Sequence, residues 1–400
     1  MKIDVVGGGP AGLYLALLVK KRRPAHAVRV VEQNPAGATY GWGVVFSDRA
    51  LGFLRDADPE SYADIEASLR TWDDQVIVHR GERVVVDGLG FSGIARLRLL
   101  EILQAHCARA GVELELERRV GDLAPLRDAD LVVGADGVRS GVRELHREHF
   151  EPSVTLLTNR YVWYGTTRAF DALTLTFRES RDGAFVAHHY PYAADRSTFI
   201  VECDAVTWAR AGFAAMSDDE SRAYCEDVFR ADLGGHPLLT NKSEWLNFAV
   251  VTNRRWTHEN VVLIGDALRT VHFSIGSGTR TALEDAIALA RALASEPDGA
   301  AALHAFERGR RPAAEEFLEV AAQSFAWYER FPDHMRLDPL PFTYGYLMRS
   351  GRITPVRLRE RSPRFAEAYE AYLRSAHTPE ETPDEHADDG RAARNAARGL

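Results

Sequence analysis

Met1-Lys2-Ile3-Asp4-Val5-Val6-Gly7-Gly8-Gly9-Pro10-Ala11-Gly12 opens the chain, and its reading decides the fold. Ile3–Val6 is apolar apart from Asp4 and has the length of one short buried strand. Gly7-x-Gly9-x-x-Gly12 then turns it straight into a helix that starts near Pro10 and carries Leu13, Leu17 and Leu18. Gly7 permits the tight turn, Gly9 leaves the backbone open to a pyrophosphate, and Gly12 lets helix and strand pack closely. Free N–H groups at the positive end of the helix would receive that anion. Glycine-rich turns also occur for purely structural reasons, so the flanks decide. A second run, Val28–Val31, apolar apart from Arg29, ends in Glu32, twenty residues beyond Gly12. An acid at that distance accepts the ribose hydroxyls of an adenine nucleotide. The stretch therefore predicts a dinucleotide site in an α/β, Rossmann-like domain.

The bulk properties narrow the setting. At 400 residues the chain has room for two or three structural units, and 46% hydrophobic content is ordinary for a globular protein. A net charge of −9 argues against a nucleic-acid partner. Cys107, Cys203 and Cys225 form no CxxC pair, so neither a disulfide framework nor a metal site is expected, only buried thiols. The first strand begins at once, which leaves no room for a signal peptide, and no apolar run is long enough to span a bilayer. The expectation is a cytoplasmic protein with no membrane partner. The sequence says nothing of its oligomeric state.

Beyond Glu32, Tyr40-Gly41-Trp42-Gly43-Val44-Val45-Phe46-Ser47 places two glycines around a tryptophan. That pattern suits backbone lying against a flat ligand with the indole as a wall, and it equally suits a core turn. Residues 59–70 read as a polar-faced helix, and Val76–His79 with Arg83–Val86 as a hairpin. Gly93–Ala110 reads as a helix with Leu99, Leu100, Leu103 and Cys107 on one face. Arg96 and Arg98 fall in its first turn, where a cation opposes the helix dipole unless it meets an anion. A strand over Val112–Glu117 precedes Leu131-Val132-Val133-Gly134-Ala135-Asp136, a second strand ending in glycine and acid. From Tyr161 to Phe248, runs of aromatic and β-branched residues predict a largely antiparallel sheet. Val261–Ile264 then returns to the first domain and ends in Gly265-Asp266. The loop Phe273-Ser274-Ile275-Gly276-Ser277-Gly278 precedes a helix, and Ala301–Arg330 is a long helical stretch. Ser362 and Pro363 read as N-cap and first residue of a last helix. Residues 376–400, almost free of large apolar side chains, read as a disordered tail.

Four predicted strand ends thus carry glycine or acid: Gly7, Glu32, Gly134–Asp136 and Gly265–Asp266. Ligands of open parallel sheets bind at such ends. One long ligand touching all four explains them better than four separate turns, and a last acidic contact so far along the chain suits FAD rather than NAD.

With these motifs in hand, the chain resembles the single-component FAD-dependent aromatic hydroxylases, the para-hydroxybenzoate hydroxylase-like group. The resemblance rests on GGGPAG (Gly7–Gly12), GADGVRS (Gly134–Ser140) and GDA (Gly265–Ala267), with Arg96-x-x-Leu99-x-x-x-Leu103. It implies non-covalent FAD held by Gly7, Gly9, Gly12, Glu32, Gly41, Trp42, Gly43, Val44, Arg96, Asp136, Asp266, Gly276 and Gly278. Two departures stand out: GDAAH is replaced by Gly265-Asp266-Ala267-Leu268-Arg269, and a proline before the Gly-x-Gly loop is replaced by Phe273. The strings GWGVVFSD (Gly41–Asp48), STFIVEC (Ser197–Cys203) and HFSIGSGT (His272–Thr279) are similar to the aryl-CoA branch, whose members hydroxylate salicyloyl-CoA or anthraniloyl-CoA. Tryptophan-derivative hydroxylases are more distant.

The resemblance implies NADH or NADPH as reductant, O2 as oxidant through a flavin C4a-hydroperoxide, and an aryl-CoA substrate, first of all salicyloyl-CoA hydroxylated at C5. Anthraniloyl-CoA or an indole-type substrate remains open, as does a flavoprotein that senses without turnover. His272, beside the flavin loop with Phe273, is the first candidate to handle a phenol proton. His188, His189 and Tyr190 on the predicted sheet follow as substrate-side candidates, and each histidine also suits an ordinary core role. Arginines between Arg349 and Arg361 suit CoA phosphates or a solvated face. The predicted layout is an FAD domain of residues 1–72, 94–158 and 255–330, a substrate domain of 73–93 and 159–254, and a helical unit of 331–375.

Overall fold

The structure, a computed structural model, describes residues 1–47, 51–122, 126 and 128–377. Asp48, which ends the GWGVVFSD string, and residues 378–400 of the expected tail lie outside the described residues. A six-stranded sheet has the spatial order Thr257–His258, Val261–Leu263, Leu131–Gly134, Lys2–Val6, Ala27–Val31, Glu113–Glu115. All neighbours run parallel except the short Thr257–His258 strand. Asp4, fully buried in an otherwise apolar strand, is tolerated because Arg29 grips both carboxylate oxygens at 2.8 and 2.9 Å. Pro10–Arg22 packs against Gly278–Ser295 and Arg96–Ala110. That contact explains why the first helix is buried from Pro10 to Val19 rather than striped.

The second sheet has eight strands: Leu238–Leu239, Pro152–Thr166, Ser197–Cys203, Gly183–Pro191, Leu173–Ser180, Gln75–His79 and Glu82–Val86 in order, with Leu246–Asn253 also paired to Pro152–Thr166. It is antiparallel except where Leu173–Ser180 meets Gln75–His79. Its two faces follow the strand alternation. Phe185, Ala187, Phe199, Val201 and Cys203 share one core with Phe213, Cys225 and Phe229. Val186, Leu175, Phe177 and Ile77 share another with Tyr328, Phe331, Phe342 and Phe365. The expected helical unit after residue 331 is therefore built onto this second sheet. All three cysteines are buried and free.

Several local expectations change. Gly93 lies in a strand, Phe91–Ala95, and the helix begins at Arg96. That strand pairs with both Gly43–Ser47 and Arg70–Trp72, and a Cβ on Gly93 would stand 2.2 Å from the Pro191 carbonyl oxygen. Pairing and close approach override the helical pattern. The helix read over 59–70 stops at Glu66, and the strand read over Val112–Glu117 keeps only Glu113–Glu115. The long helix spans Gly299–Tyr328 with Pro312 inside it. Ser362 and Pro363 do open the last helix, whose Ala366 N–H bonds the Ser362 carbonyl at 3.0 Å, but the Ser362 hydroxyl donates to the Asp87 carbonyl at 2.5 Å and the Asp87 carboxylate accepts the Phe365 N–H at 3.1 Å. The cap comes from across the sheet, where no local pattern reveals it.

Candidate active site

Register alone gathers the four strand ends. Val6 pairs with Val31 on one side and Gly134 on the other, and Gly134 pairs with Leu263. Gly7, Glu32, Ala135 and Ile264 follow in one row, linked by Gly7 N–H to Val31 O, Ala135 N–H to Val6 O and Ile264 N–H to Gly134 O at 2.8–3.0 Å. The glycines then divide by cause. A Cβ on Gly7, whose φ is +110°, would lie 2.3 Å from Ala135 O, and one on Gly12 would lie 2.0 Å from Gly7 O. Protein packing requires both. A Cβ on Gly9 would meet nothing within 4 Å, so no neighbour in the chain demands a glycine there.

The surroundings of Gly9 fit a dinucleotide. The Pro10–Arg22 helix has no side-chain cap, and neither has Gly278–Ser295, so two helix N-termini offer unclaimed N–H groups. Glu32 Oε2 accepts the Gly8 N–H at 2.7 Å, and Oε1 accepts the Asn34 N–H and side-chain amide at 2.8 and 2.6 Å, which moulds the loop and leaves a lone pair on Oε2 for a ribose hydroxyl. Asp136 has a different local role: it accepts from Ser140 Oγ at 2.5 Å and from the Gly141 and Val142 N–H groups at 2.7 and 3.1 Å. It caps the following helix, and Arg143 on that helix donates to the Ala267 carbonyl at 3.0 Å.

Asp266 lies deep within the chain, yet its side chain remains open to solvent and has no hydrogen-bond partner among the described residues. An atom enclosed by protein but still reachable lies in a cleft. Burial raises its pKa, while Arg96 and then Arg269 act in the opposite direction. Arg96 stands in the same cleft; burial lowers its pKa, Asp266 counters this, and its Nε donates to Thr39 Oγ1 at 3.2 Å. Arg269 is turned inward onto Asp285 at 2.7 and 2.9 Å, and Asp285 also accepts the Gly265 N–H at 3.1 Å. Gly265-Asp266-Ala267-Leu268-Arg269 is thus braced by an ion pair, which accounts for arginine at its last position.

The glycines around Trp42 are required by other rings. A Cβ on Gly41 would lie 2.6 Å from the Trp163 ring, one on Gly43 2.5 Å from Tyr192 Cβ, and one on Gly165 2.5 Å from the Trp42 ring. Tyr190, whose hydroxyl donates to the Gly43 carbonyl at 2.8 Å, fastens the second sheet to this strand. Val44 is buried, and Gly276, in the left-handed region at φ +64°, brings the flavin-side loop against Val45. That loop is clamped from the C-terminal helices by Arg349, which donates to Ser274 O, Ser324 Oγ and Tyr346 O at 2.7–3.1 Å. Arg349 is engaged in the structure rather than free for a phosphate.

A second set of groups surrounds Phe273. Its ring centroid stands 4.9 Å from Tyr161, 5.2 Å from His188, 4.3 Å from His272 and 6.1 Å from Phe248. His272 Nδ1 accepts the Ser274 N–H at 3.2 Å, and burial pushes its pKa down to about 4. His188 Nε2 meets Glu202 Oε2 at 3.2 Å. His189 points to the opposite face, bonded to Thr176 Oγ1 at 3.0 Å and stacked on Phe199. Strand alternation removes it from the candidates. Glu202 was not foreseen, although a lone acid in the apolar string STFIVEC was the signal: a buried carboxylate needs a partner. Elsewhere, ligand nitrogens of His146, His149 and His258 lie within 4.8 Å of one another. The last two rings stack 3.6 Å apart and 8° from parallel, which sets their lone pairs side by side instead of converging on one ion.

This geometry defines a class that the comparisons share. A family model described as FAD binding domain matches residues 82–321, and one described as lycopene cyclase protein matches residues 3–144. The chain belongs to the FAD-dependent aromatic monooxygenases of the para-hydroxybenzoate hydroxylase-like group. It is a flavin-dependent monooxygenase with FAD as cofactor and NAD(P)H as co-substrate. Among particular relatives, it is 42% identical to salicyloyl-CoA 5-hydroxylase of a Streptomyces species, over 88% of this chain and 70% of that protein. It is 38% identical to 3-hydroxy-4-methyl-anthranilyl-[aryl-carrier protein] 5-monooxygenase of Streptosporangium sibiricum, over 83% and 90%. It is 37% identical to protodeoxyviolaceinate monooxygenase of Chromobacterium violaceum, over 89% and 96%. The fold matches 2-methyl-3-hydroxypyridine-5-carboxylic acid oxygenase with a TM-score of 0.67 at 17% identity, over 90% of this chain and 95% of that one. No helix among the described residues is long and apolar enough to cross a membrane.

Proposed function

We propose that this enzyme hydroxylates an aromatic ring carried as a coenzyme A thioester, converting salicyloyl-CoA at C5 to gentisyl-CoA. Ring C–H, O2, NAD(P)H and a proton become ring C–OH, water and NAD(P)+. The observation that carries this reading is the charge around Phe273. Arg349 is the cation stacked on the Tyr328 ring there, with its centre 5.7 Å away, and its Nε, Nη1 and Nη2 are all engaged by protein oxygens. A free carboxylate beside Tyr328 would find Arg349 already engaged, whereas a thioester carries no charge. Two relatives support the same handle, one named for an aryl group on coenzyme A and one for an aryl group on a carrier protein.

The Gly7–Gly12 turn, Glu32, Arg96 and Asp266 would hold FAD, which when bound would supply the activation of O2 with electrons from NAD(P)H. The chain's residues do the rest. Tyr161, Phe248, Phe273 and Tyr328 exclude water and orient the ring, and His272, neutral at physiological pH with Nδ1 occupied, presents Nε2–H to a ring substituent. C5 is para to the hydroxyl, so ionisation of the phenol, which a donor to its oxygen favours, raises electron density at that carbon. The CoA portion provides binding energy remote from the reacting carbon.

Salicyloyl-CoA, free salicylate and anthraniloyl-CoA, each assayed for NADH consumed, product and peroxide, test the reading. Salicyloyl-CoA is expected to give nearly one hydroxylated product per NADH, and free salicylate little stimulation or mainly peroxide. Equal, well-coupled turnover of free salicylate sinks the thioester reading. Faster turnover of anthraniloyl-CoA replaces only the ring.

A further inference from the structure

Glu202 is 1% exposed in the strand Ser197–Cys203 and has a defined set of partners. Asn159 Nδ2 donates to Oε1 at 2.8 Å and to the Tyr328 carbonyl at 2.9 Å. The other oxygen faces His188 Nε2 at 3.2 Å. The sheet register makes this pair: Tyr161 opposes Glu202, which opposes Val186, while Trp163 opposes Ile200, which opposes His188. Tyr161, Glu202 and His188 therefore share the face that looks toward Phe273. Stacking on Tyr328 at 5.1 Å and edge contact with Phe273 at 5.2 Å fix the imidazole plane.

A carboxylate at Nε2 holds the imidazole proton on that nitrogen and leaves Nδ1 as the basic lone pair. Among the described residues, His188 Nδ1 has no hydrogen-bond partner, and unlike the sealed Nδ1 of His189 it remains reachable from the cleft. His272 is set the other way, with Nδ1 filled by the Ser274 N–H, so its pocket-facing nitrogen is a donor. The two histidines thus have complementary states.

We propose that His188 is the base that takes the ring hydroxyl's proton and that Glu202 is its positioning residue, with His272 acting as hydrogen-bond donor. The phenol O–H bond breaks, the His188 Nδ1–H bond forms, and the buried Glu202 carboxylate balances the resulting imidazolium. The proton returns to the oxygenated product or to solvent, and no redox change occurs at the pair. Groups facing His188 are Glu202 on its sheet, Tyr328 from the long helix, and Phe273 and His272 from the loop, with Arg349 over the Tyr328 ring. The identity of the phenol rests on the thioester reading above, but the arrangement of the pair does not.

The test uses FAD-loaded full-length enzyme in two arms. Nitrogen-15 NMR of the imidazoles, assigned with His188→Gln, reads the resting tautomer without substrate. A proton on His188 Nε2 supports the proposal, and one on Nδ1 overturns it. In the second arm, salicyloyl-CoA is the probe and hydroxylated product is measured against NADH consumed. Glu202→Gln and His188→Gln are expected to keep FAD and lower the hydroxylation rate at least about 100-fold, the usual weight of a general base. Glu202→Asp is expected to recover part of it. Unchanged product per NADH in either Gln variant overturns the proposal. Should Glu202→Gln lose FAD, His188→Gln and the tautomer decide alone. A wild-type enzyme that ignores salicyloyl-CoA but shows the Nε2–H tautomer removes salicyloyl-CoA as the substrate and leaves the pair supported.

Discussion

The nucleotide cradle and the pocket around Phe273 are built from different materials. The cradle is backbone: turns, strand ends and two uncapped helix starts, in which side chains serve mainly to hold loops in shape. The pocket is side chains, delivered by strands and a long helix far apart in sequence: Tyr161, His188, Glu202, Phe273 and Tyr328. Backbone sites restrict residue type at fixed spacing, because only glycine tolerates the required approach. Side-chain sites restrict only what reaches a point in space, so their spacing along the chain is free. The same ring chemistry is therefore compatible with many pockets, and the same pocket with many sequences.

Four measurements break or sharpen this contrast. The largest effect is expected from Gly12→Ala, whose methyl would be driven against the Gly7 carbonyl at 2.0 Å. Loss of flavin together with a loss of more than about 4 kcal/mol in stability is the outcome, read by urea unfolding and visible absorbance. A folded, yellow Gly12→Ala protein would show that the turn is not fixed by packing.

Asp285→Ala follows, because it strands Arg269, which bonds Asp285 at 2.7 and 2.9 Å, and takes from Arg310 one of its two carboxylate partners, leaving Glu284 at 2.6 Å. Breaking a buried pair from one side costs about 3–5 kcal/mol. A fall in the thermal midpoint by only a degree or so, on the order of a surface change, would show that the ion pair does not brace the strand end.

The third measurement is a pH dependence. Burial lowers the His272 pKa from an ordinary 6.5 to about 4, so between these values the unfolded chain binds a proton that the folded chain refuses. Stability is thus complete above pH 6.5 and falls as pH drops toward 4, by about 3 kcal/mol for this residue. His189, buried and lowered in the same direction, adds to that acid limb. His272→Phe is expected to flatten the limb and divert reducing equivalents to peroxide. An unchanged limb and unchanged product per NADH would remove His272 from the pocket's chemistry.

The smallest effect on folding and the sharpest on binding belong to Gly9→Val. Its Cβ meets no protein atom within 4 Å, so stability without flavin should move by no more than about 1 kcal/mol. Flavin retention should nevertheless disappear. A Gly9→Val enzyme that keeps FAD after gel filtration would mean that the open space beside Gly9 is not the cofactor's.

The sequence by itself determined the cradle. Gly7, Glu32, Asp136 and Asp266 each mark a strand end, and parallel pairing leaves those ends little choice but one row. It also showed that the Gly265-Asp266-Ala267-Leu268-Arg269 stretch departs from its group, but not that Asp285 answers Arg269 from the next helix. Alternation along Gly183–Pro191 put His188 and His189 on opposite faces without saying which face was the pocket. Only the tertiary structure decided that, by laying Phe273 and Tyr328 over one side and Phe199 over the other. The helix pattern over Gly93 gave way for the same reason, since two neighbouring strands claim its backbone. Local pattern records what each segment can bury; which partner it buries against depends on contacts between residues far apart in the chain, and those carry no period to read.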